Sequence, residues 1–145
     1  MAAGALAVVE AWLDAVNRTD AAQVEALTAE QVEIVGPRGS GHMDRAVVSE
    51  WMARAGFSSR VRRWYCGGDG SVVVEQAARW VDPSTGTELG RAVVASTFVV
   101  GGGRVVRFAR HDAGLDAALW SAGLTGENEV VERGAHGTTG RQGTC

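Results

Sequence analysis

Apolar residues follow a helical period in the first third of this chain. Over residues 4–17 they recur every three or four positions, which predicts an amphipathic helix; its members are Leu6, Val9, Trp12, Leu13 and Val16. Asp20 and Gln23 have the spacing of a capping box and predict a short second helix. A third helix is predicted over residues 44–55, ending at Gly56, with an inward face made of Val47, Val48, Trp51 and Ala55.

From about residue 60 the apolar pattern becomes typical of strands. Four segments rich in valine and aromatic residues, separated by glycine-rich or Asp-Pro turns, predict an antiparallel meander over residues 60–66, 72–81, 89–100 and 104–112. The other predicted segments are a short strand, a glycine-rich loop and a last helix, over residues 31–35, 36–41 and 115–122.

This order of elements predicts an α+β fold. Long antiparallel strands coil, because neighbouring strands twist by about 20–25°. We therefore expect a strongly curved antiparallel sheet with three helices from the N-terminal half forming a cone, and a short C-terminal helix.

The strand over residues 89–100 is apolar on both faces. The two sets are Val94, Phe98 and Val100 on one face, and Val93, Ala95 and Val99 on the other. A strand with one face in water alternates with polar residues instead. Because the predicted helices are used on the concave side, a homodimer joined through the outer sheet face is predicted.

Composition limits the class of protein. A chain of 145 residues with 46% hydrophobic and 21% charged residues is globular. We predict one domain over residues 1–125 and a disordered polar tail over residues 126–145. The net charge of −3 is too mild to indicate nucleic acid. No apolar run reaches the roughly 20 residues of a membrane span, and no signal-peptide pattern is present, so a cytoplasmic protein without a membrane partner is predicted.

A cluster of ionisable residues lies at the end of the last predicted strand. Arg110 and Asp112 are two residues apart, so they share a face about 7 Å apart, while His111 points the other way. Asp112 is the candidate catalytic residue, because a desolvated carboxyl group can act as a general acid or base. The alternatives are a structural ion pair with Arg110 and a cap of the following turn.

Other residues suit the lining of a pocket inside the cone. Aromatic side chains are common in apolar pockets, and Arg79 belongs either to such a lining or to a cross-strand ion pair. The predicted ligand-binding set is Trp12, Trp51, Arg79, Phe98, Phe108 and Arg110. No cofactor and no metal site is predicted.

Three features together resemble the nuclear transport factor 2-like superfamily, in its SnoaL-like bacterial branch. They are the order helix–helix–strand–helix before a long meander, Gly41 before the third helix, and Gly103-Arg-Val-Val-Arg107 leading to Arg110-His-Asp112. The resemblance covers residues 4–124 and implies a cystatin-like cone fold. Members of this superfamily include isomerases, cyclases, epoxide hydrolases, dehydratases and non-catalytic proteins, so the fold does not settle the function.

The catalytic patterns that the resemblance implies are incomplete here. The base of ketosteroid isomerase-like members falls at Ile34, and their acidic oxyanion donor falls among residues 94–96. Epoxide hydrolase-like members have an acid two residues after the arginine, whereas Arg79 is followed by Asp82. The prediction is therefore a protein that binds an apolar or weakly polar small molecule in the cone. The alternatives are an acid/base enzyme using Asp112 and a non-catalytic dimeric interaction domain.

Overall fold

The structure, a computed structural model, describes residues 4–36 and 39–130 and has the predicted α+β class. Its helices are α1 Ala5–Asn17, α2 Ala21–Ala26, α3 Arg45–Ala55 and α4 Leu115–Ala122, with a 3-10 turn at Gly126–Asn128. Its strands are β1 Thr28–Gly36, β2 Gly39–Asp44, β3 Phe57–Cys66, β4 Ser71–Val81, β5 Glu88–Gly101 and β6 Arg104–His111. In the part of the chain described, no helix has the length and apolar content of a membrane span.

The ends of the helices follow from local side-chain chemistry. The Asp20 carboxylate accepts from the backbone N–H of Gln23 at 3.2 Å, which confirms the predicted cap of α2. Asp44 caps α3 in the same way, through the N–H of Ala46 at 2.9 Å. Helix α3 ends at Gly56, whose φ of 62° is left-handed, as the predicted C-cap requires.

The inward face of α3 differs from the prediction. Val47 and Trp51 are 49% and 42% exposed, so the predicted inward orientation of these two residues is wrong. Val48 is buried as predicted, and the other buried residues of α3 are Ser49 and Met52. The Ser49 hydroxyl lies 2.8 Å from a carboxylate oxygen of Glu25, and this hydrogen bond lets a polar residue occupy a position that an apolar pattern excludes.

The sheet is open and mixed, with the strand order β2-β1-β6-β5-β4-β3. The prediction of an entirely antiparallel sheet is wrong for one pair, because β1 and β6 are parallel. The β1–β2 hairpin lies at one edge, and the meander from β3 to β6 begins at the other edge and returns to β1. The last strand, β6, therefore lies in the middle of the sheet between β1 and β5.

Strand β2 lies partly in the segment predicted as a glycine-rich loop. It pairs antiparallel with β1 from Gln31↔Asp44 to Gly36↔Gly39. Only Met43 is partly buried against the core, and the other residues of β2 are exposed, so the strand has no apolar alternation. Backbone pairing with β1 is what forms this strand.

Helix α1 fills the concave side of the sheet. The residues that pack together there come from the first three helices and from the four central strands; among them are Val8, Val9, Trp12, Leu13, Val24, Val32, Val48, Met52, Val72, Val74, Phe98, Val105 and Phe108. Complete burial of a large apolar side chain contributes about 1.5–3 kcal/mol, so this inner cluster is the main core of the fold.

Helix α4 lies on the outer face of the sheet. Its Ala118 and Leu119 pack against Tyr65, Val73 and Ala95. The assumption that no helix remains to cover the outer face is therefore wrong. The homodimer remains a prediction. The part of the outer sheet face that is open to a second copy is smaller than expected.

Regular structure continues past the predicted domain boundary at residue 125. Glu129 forms an antiparallel bridge with Tyr65, and the N–H of Val130 donates to the carbonyl of Trp64 at 2.8 Å. Residues 126–130 thus follow the edge strand β3. Residues 131–145 of the predicted tail lie outside the described residues.

Candidate functional site

Three of the predicted ligand-binding residues meet inside the cone. The ring centroids of Trp12 and Phe98 are 5.3 Å apart, those of Trp12 and Phe108 5.7 Å, and those of Phe98 and Phe108 5.1 Å. The Trp12 indole N–H donates to the hydroxyl of Thr28 at 2.9 Å, which donates to the carbonyl of Val24 at 2.6 Å. The rings are buried against one another, so they fill the depth of the cone.

A cavity of about 380 Å³ opens one turn along α1 from Trp12. We call it the mouth cavity. It lies between the end of α1, α2, α3, the start of β3 and the end of β4. Its apolar wall includes Val16, Val24, Met52, Phe57 and Val81, and its polar groups are Asn17, Thr19, Asp20, Ser49, Ser58 and Arg79. Its volume lies in the range of about 300–1,000 Å³ that small-molecule pockets occupy.

Gly56 shapes one wall of the mouth cavity. Its carbonyl accepts from the N–H of Val81 at 3.0 Å, which ties the α3–β3 connection to the end of β4. A Cβ atom at position 56 would lie 1.9 Å from the carbonyl oxygen of Val81. Together with the left-handed φ, this close approach requires glycine here.

Arg79 lies at the rim of the mouth cavity and is held by a carboxylate. Its Nε lies 2.9 Å from Glu88, and Arg91 contacts the same carboxylate at 2.7 Å. Hydrogen bonds from Arg91 and Arg79 lower the pKa of Glu88 to about 2. Both interpretations of Arg79 therefore apply, since it lines the cavity and forms an ion pair.

A polar layer missed by the sequence analysis lies on the concave face of β4. Gln76 is 1% exposed; it donates to the Ser59 hydroxyl at 2.8 Å and accepts from the Ser96 hydroxyl at 2.6 Å. Asn17 completes the layer by pairing with the N–H and C=O of Ser59 at 2.9 and 2.8 Å. The available signal was Gln76 at an inward position among apolar residues of β4.

Arg110 and Asp112 form an ion pair at 3.1 Å. The Arg110 guanidinium lies 5.7 Å from the ring centroid of Trp80, and Trp80 in turn contacts Phe57, with ring centroids 5.5 Å apart. Neither Arg110 nor Asp112 lines the mouth cavity. The structure thus joins Arg110 to Asp112 as the structural alternative expected, and it places the pair apart from Arg79.

His111 lies on the outer face, opposite to Arg110. Its Nε2 is 3.1 Å from the Thr97 hydroxyl and 3.3 Å from the Ser121 hydroxyl. Burial lowers its pKa below the ordinary value of 6.5, and the charge of Arg107 acts in the same direction, while Asp112 opposes them. His111 therefore belongs to the contact between the sheet and α4.

Trp51, the other tryptophan predicted to bind a ligand, does not belong to the buried cluster of Trp12, Phe98 and Phe108. It is on the exposed side of α3 and does not line the mouth cavity. Within residues 4–36 and 39–130, no three His, Cys, Asp or Glu side chains are grouped as a metal site requires.

Comparisons with known proteins identify the fold. Neither the protein-family models nor the curated protein sequences match this chain. Among solved structures, a nuclear transport factor 2-like protein of unknown function from Cytophaga hutchinsonii aligns with a TM-score of 0.61 and 12% identity, over 77% of this chain and 91% of that one. This chain has the nuclear transport factor 2-like fold.

Two further solved structures to which this chain is similar differ in what their names state. An uncharacterised cystatin-fold protein from Novosphingobium aromaticivorans has a TM-score of 0.65 and 13% identity, over 75% of this chain and 98% of that one. An LEH-like epoxide hydrolase from M. tuberculosis has a TM-score of 0.63 and 18% identity, over 81% of this chain and 90% of that one. The likeness confirms the predicted fold and leaves the reaction open.

The positions at which the resemblance led us to look for catalytic residues serve packing and turns here. Ile34 is buried in the core opposite Phe108. Asp82 accepts from the hydroxyl and N–H of Ser84, and these hydrogen bonds lower its pKa. Arg79 is paired with Glu88 instead of with Asp82.

Proposed function

We propose that this protein binds a small apolar or weakly polar molecule in the mouth cavity. The observation that supports the proposal is the composition of its wall, in which Val16, Val24, Met52, Phe57 and Val81 surround a few polar groups. An apolar wall buries the body of a ligand, and a small number of polar groups orient it.

The charges at the rim favour a ligand without a strong charge of its own. The Arg79 guanidinium is already paired with Glu88, and Asp20 is paired with Arg18. The Asn17 amide and the Ser49 hydroxyl are also engaged, with Ser59 and Glu25. The hydroxyls of Thr19 and Ser58 complete the polar groups of the lining. A carbonyl, hydroxyl or epoxide oxygen matches such groups.

Acid/base catalysis is the alternative suggested by the names of some neighbours, an epoxide hydrolase-like enzyme and a putative polyketide cyclase. It uses Asp112 as the acid or base. The Asp112 carboxylate is more than half exposed and bound to Arg110, outside the mouth cavity. For any ligand that the protein converts, a lower turnover in Asp112→Asn would support this alternative, and unchanged turnover would remove Asp112 from the mechanism.

A non-catalytic interaction domain is the other alternative. The observation that favours it is the interior, where Trp12, Phe98 and Phe108 occupy the depth of the cone. Under this alternative no small molecule binds in the mouth cavity.

A ligand screen with cavity variants decides among these functions. We expect hydrophobic ketones and epoxides to include compounds that raise the melting temperature. Ala53 is an exposed residue of α3 that lines the mouth cavity, so Ala53→Trp fills the space and should weaken binding by about tenfold or more. The matched control is Ala7→Trp on exposed α1 surface, which should bind as the wild type does. Hits whose affinity is the same in Ala53→Trp, or a screen without hits, would contradict the proposal.

A further inference from the structure

The open half of the outer sheet face carries a cluster of arginines. Arg79 lies opposite Arg91 across β4 and β5. In the next row, Ala77 lies opposite Arg60 on β3 and Val93 on β5. Residues two apart on a strand share a face, so these five side chains form one surface. We call this surface the arginine groove; its volume is about 360 Å³.

The arginine groove has an excess of positive charge. Glu88 is the carboxylate that pairs with both Arg79 and Arg91, which leaves one of these two charges without compensation. Arg60 takes part in none of the ion pairs found among the described residues. Like charges directly opposite each other across two strands are destabilising. A bound anion would relieve this repulsion.

The floor of the arginine groove is apolar. Ala77 and Val93 lie between the arginines, and Val93 is 52% exposed. On the side of α4 the next row is occupied by Glu75, which contacts Arg63 at 3.9 Å. The arginine groove therefore offers guanidinium groups and an exposed aliphatic surface side by side.

We propose that the arginine groove binds an amphipathic oxyanion, a molecule with a carboxylate or phosphate head and an apolar body. Guanidinium groups bind both kinds of head through paired N–H donors, and Arg60 and Arg91 present them from the two sides of the floor. The apolar body covers Val93, which removes its exposed surface from water. This site is separate from the mouth cavity, and the two share only Arg79.

Titration calorimetry with octyl phosphate, octanoate, inorganic phosphate and octanol tests the proposal. We expect octyl phosphate or octanoate to bind about tenfold more tightly than inorganic phosphate and octanol, because only the first two have both a head and a body. The affinities of octyl phosphate and octanoate then show whether a phosphate head or a carboxylate head is preferred. Arg60→Gln and Arg91→Gln should each weaken that binding severalfold, whereas Arg104→Gln, at the start of β6, should not.

A second variant tests the apolar part of the arginine groove without changing its charge. Val93→Ser should weaken the binding of octyl phosphate and leave the binding of inorganic phosphate unchanged. The proposal is overturned if the arginine variants bind like the wild type, or if inorganic phosphate binds as tightly as octyl phosphate. Loss of binding as the protein concentration rises would show a second copy of the chain in the arginine groove and would also overturn it. Ala53→Trp should leave this binding unchanged, so the result is independent of the mouth cavity.

Discussion

The most demanding single contact in the core is the hydrogen bond between Trp12 and Thr28. Thr28→Val keeps the shape of the side chain but removes the acceptor of a buried indole N–H. A buried donor without a partner costs about 1–3 kcal/mol, so we expect the free energy of unfolding to fall by about that amount. Urea denaturation measures it. The control is Thr87→Val in the exposed β4–β5 turn, and an equal effect in both variants would contradict the assignment.

His111 makes the stability depend on pH. Its pKa in the folded protein is lower than the ordinary value of 6.5, so the unfolded chain takes up a proton more readily. The contribution of neutral His111 to the free energy of unfolding is therefore fully present above about pH 6.5. It is lost as the pH drops toward the pKa of His111 in the folded protein. We expect the free energy of unfolding to fall more steeply between pH 7 and pH 5 in the wild type than in His111→Gln. Parallel pH profiles of the two proteins would show that His111 does not contribute.

The tryptophans show how far residue patterns predict a site. Trp12 and Trp51 both occur at helical spacing, so the sequence pattern predicts both as pocket residues. Trp12 is buried because its N–H has a partner in Thr28, whereas Trp51 is exposed because Ser49 and Met52 take the inward positions of α3. A hydrogen bond between residues 16 positions apart decides the first case, and such a partner is not visible in a local pattern.

At the scale of elements, α4 is held to the sheet by a small apolar contact. Leu119 packs against Tyr65, Val73 and Ala95, so Leu119→Ala should lower the free energy of unfolding by about 2 kcal/mol or more. Leu89→Ala is the matched control, because Leu89 is 67% exposed and its truncation should change stability by no more than about 0.5 kcal/mol. Chemical denaturation of both variants gives the comparison, and a neutral Leu119→Ala would mean that α4 contributes little to the fold.

Most elements were predictable because each has its own apolar period or cap. Helices α1 and α2 and the strands of the meander are of this kind. Strand β2 was not predictable, since most of its side chains are exposed and only pairing with β1 defines it. The parallel contact of β1 with β6 joins segments about 75 residues apart, and an element order alone does not determine which strands become neighbours.

At the scale of the whole molecule, the outer face has two halves that differ in charge. A two-fold symmetric interface places the same surface of both copies in contact. Contact through the arginine groove would bring Arg60 and Arg91 near their own symmetry copies, which repel. The half covered by α4 instead presents Trp120, which is 86% exposed, and large exposed aromatic residues are typical anchors of interfaces. We therefore infer that the predicted homodimer is centred on α4.

Light scattering at micromolar concentration tests the homodimer. The wild type should have twice the chain mass of 15.2 kDa. Trp120→Glu should give the monomer, because it puts a like charge on both sides of a two-fold contact and removes the aromatic anchor. Val93→Glu, in the arginine groove, should remain a dimer. A monomeric wild type would exclude the homodimer, and a monomeric Val93→Glu beside a dimeric Trp120→Glu would move the interface to the open half of the sheet.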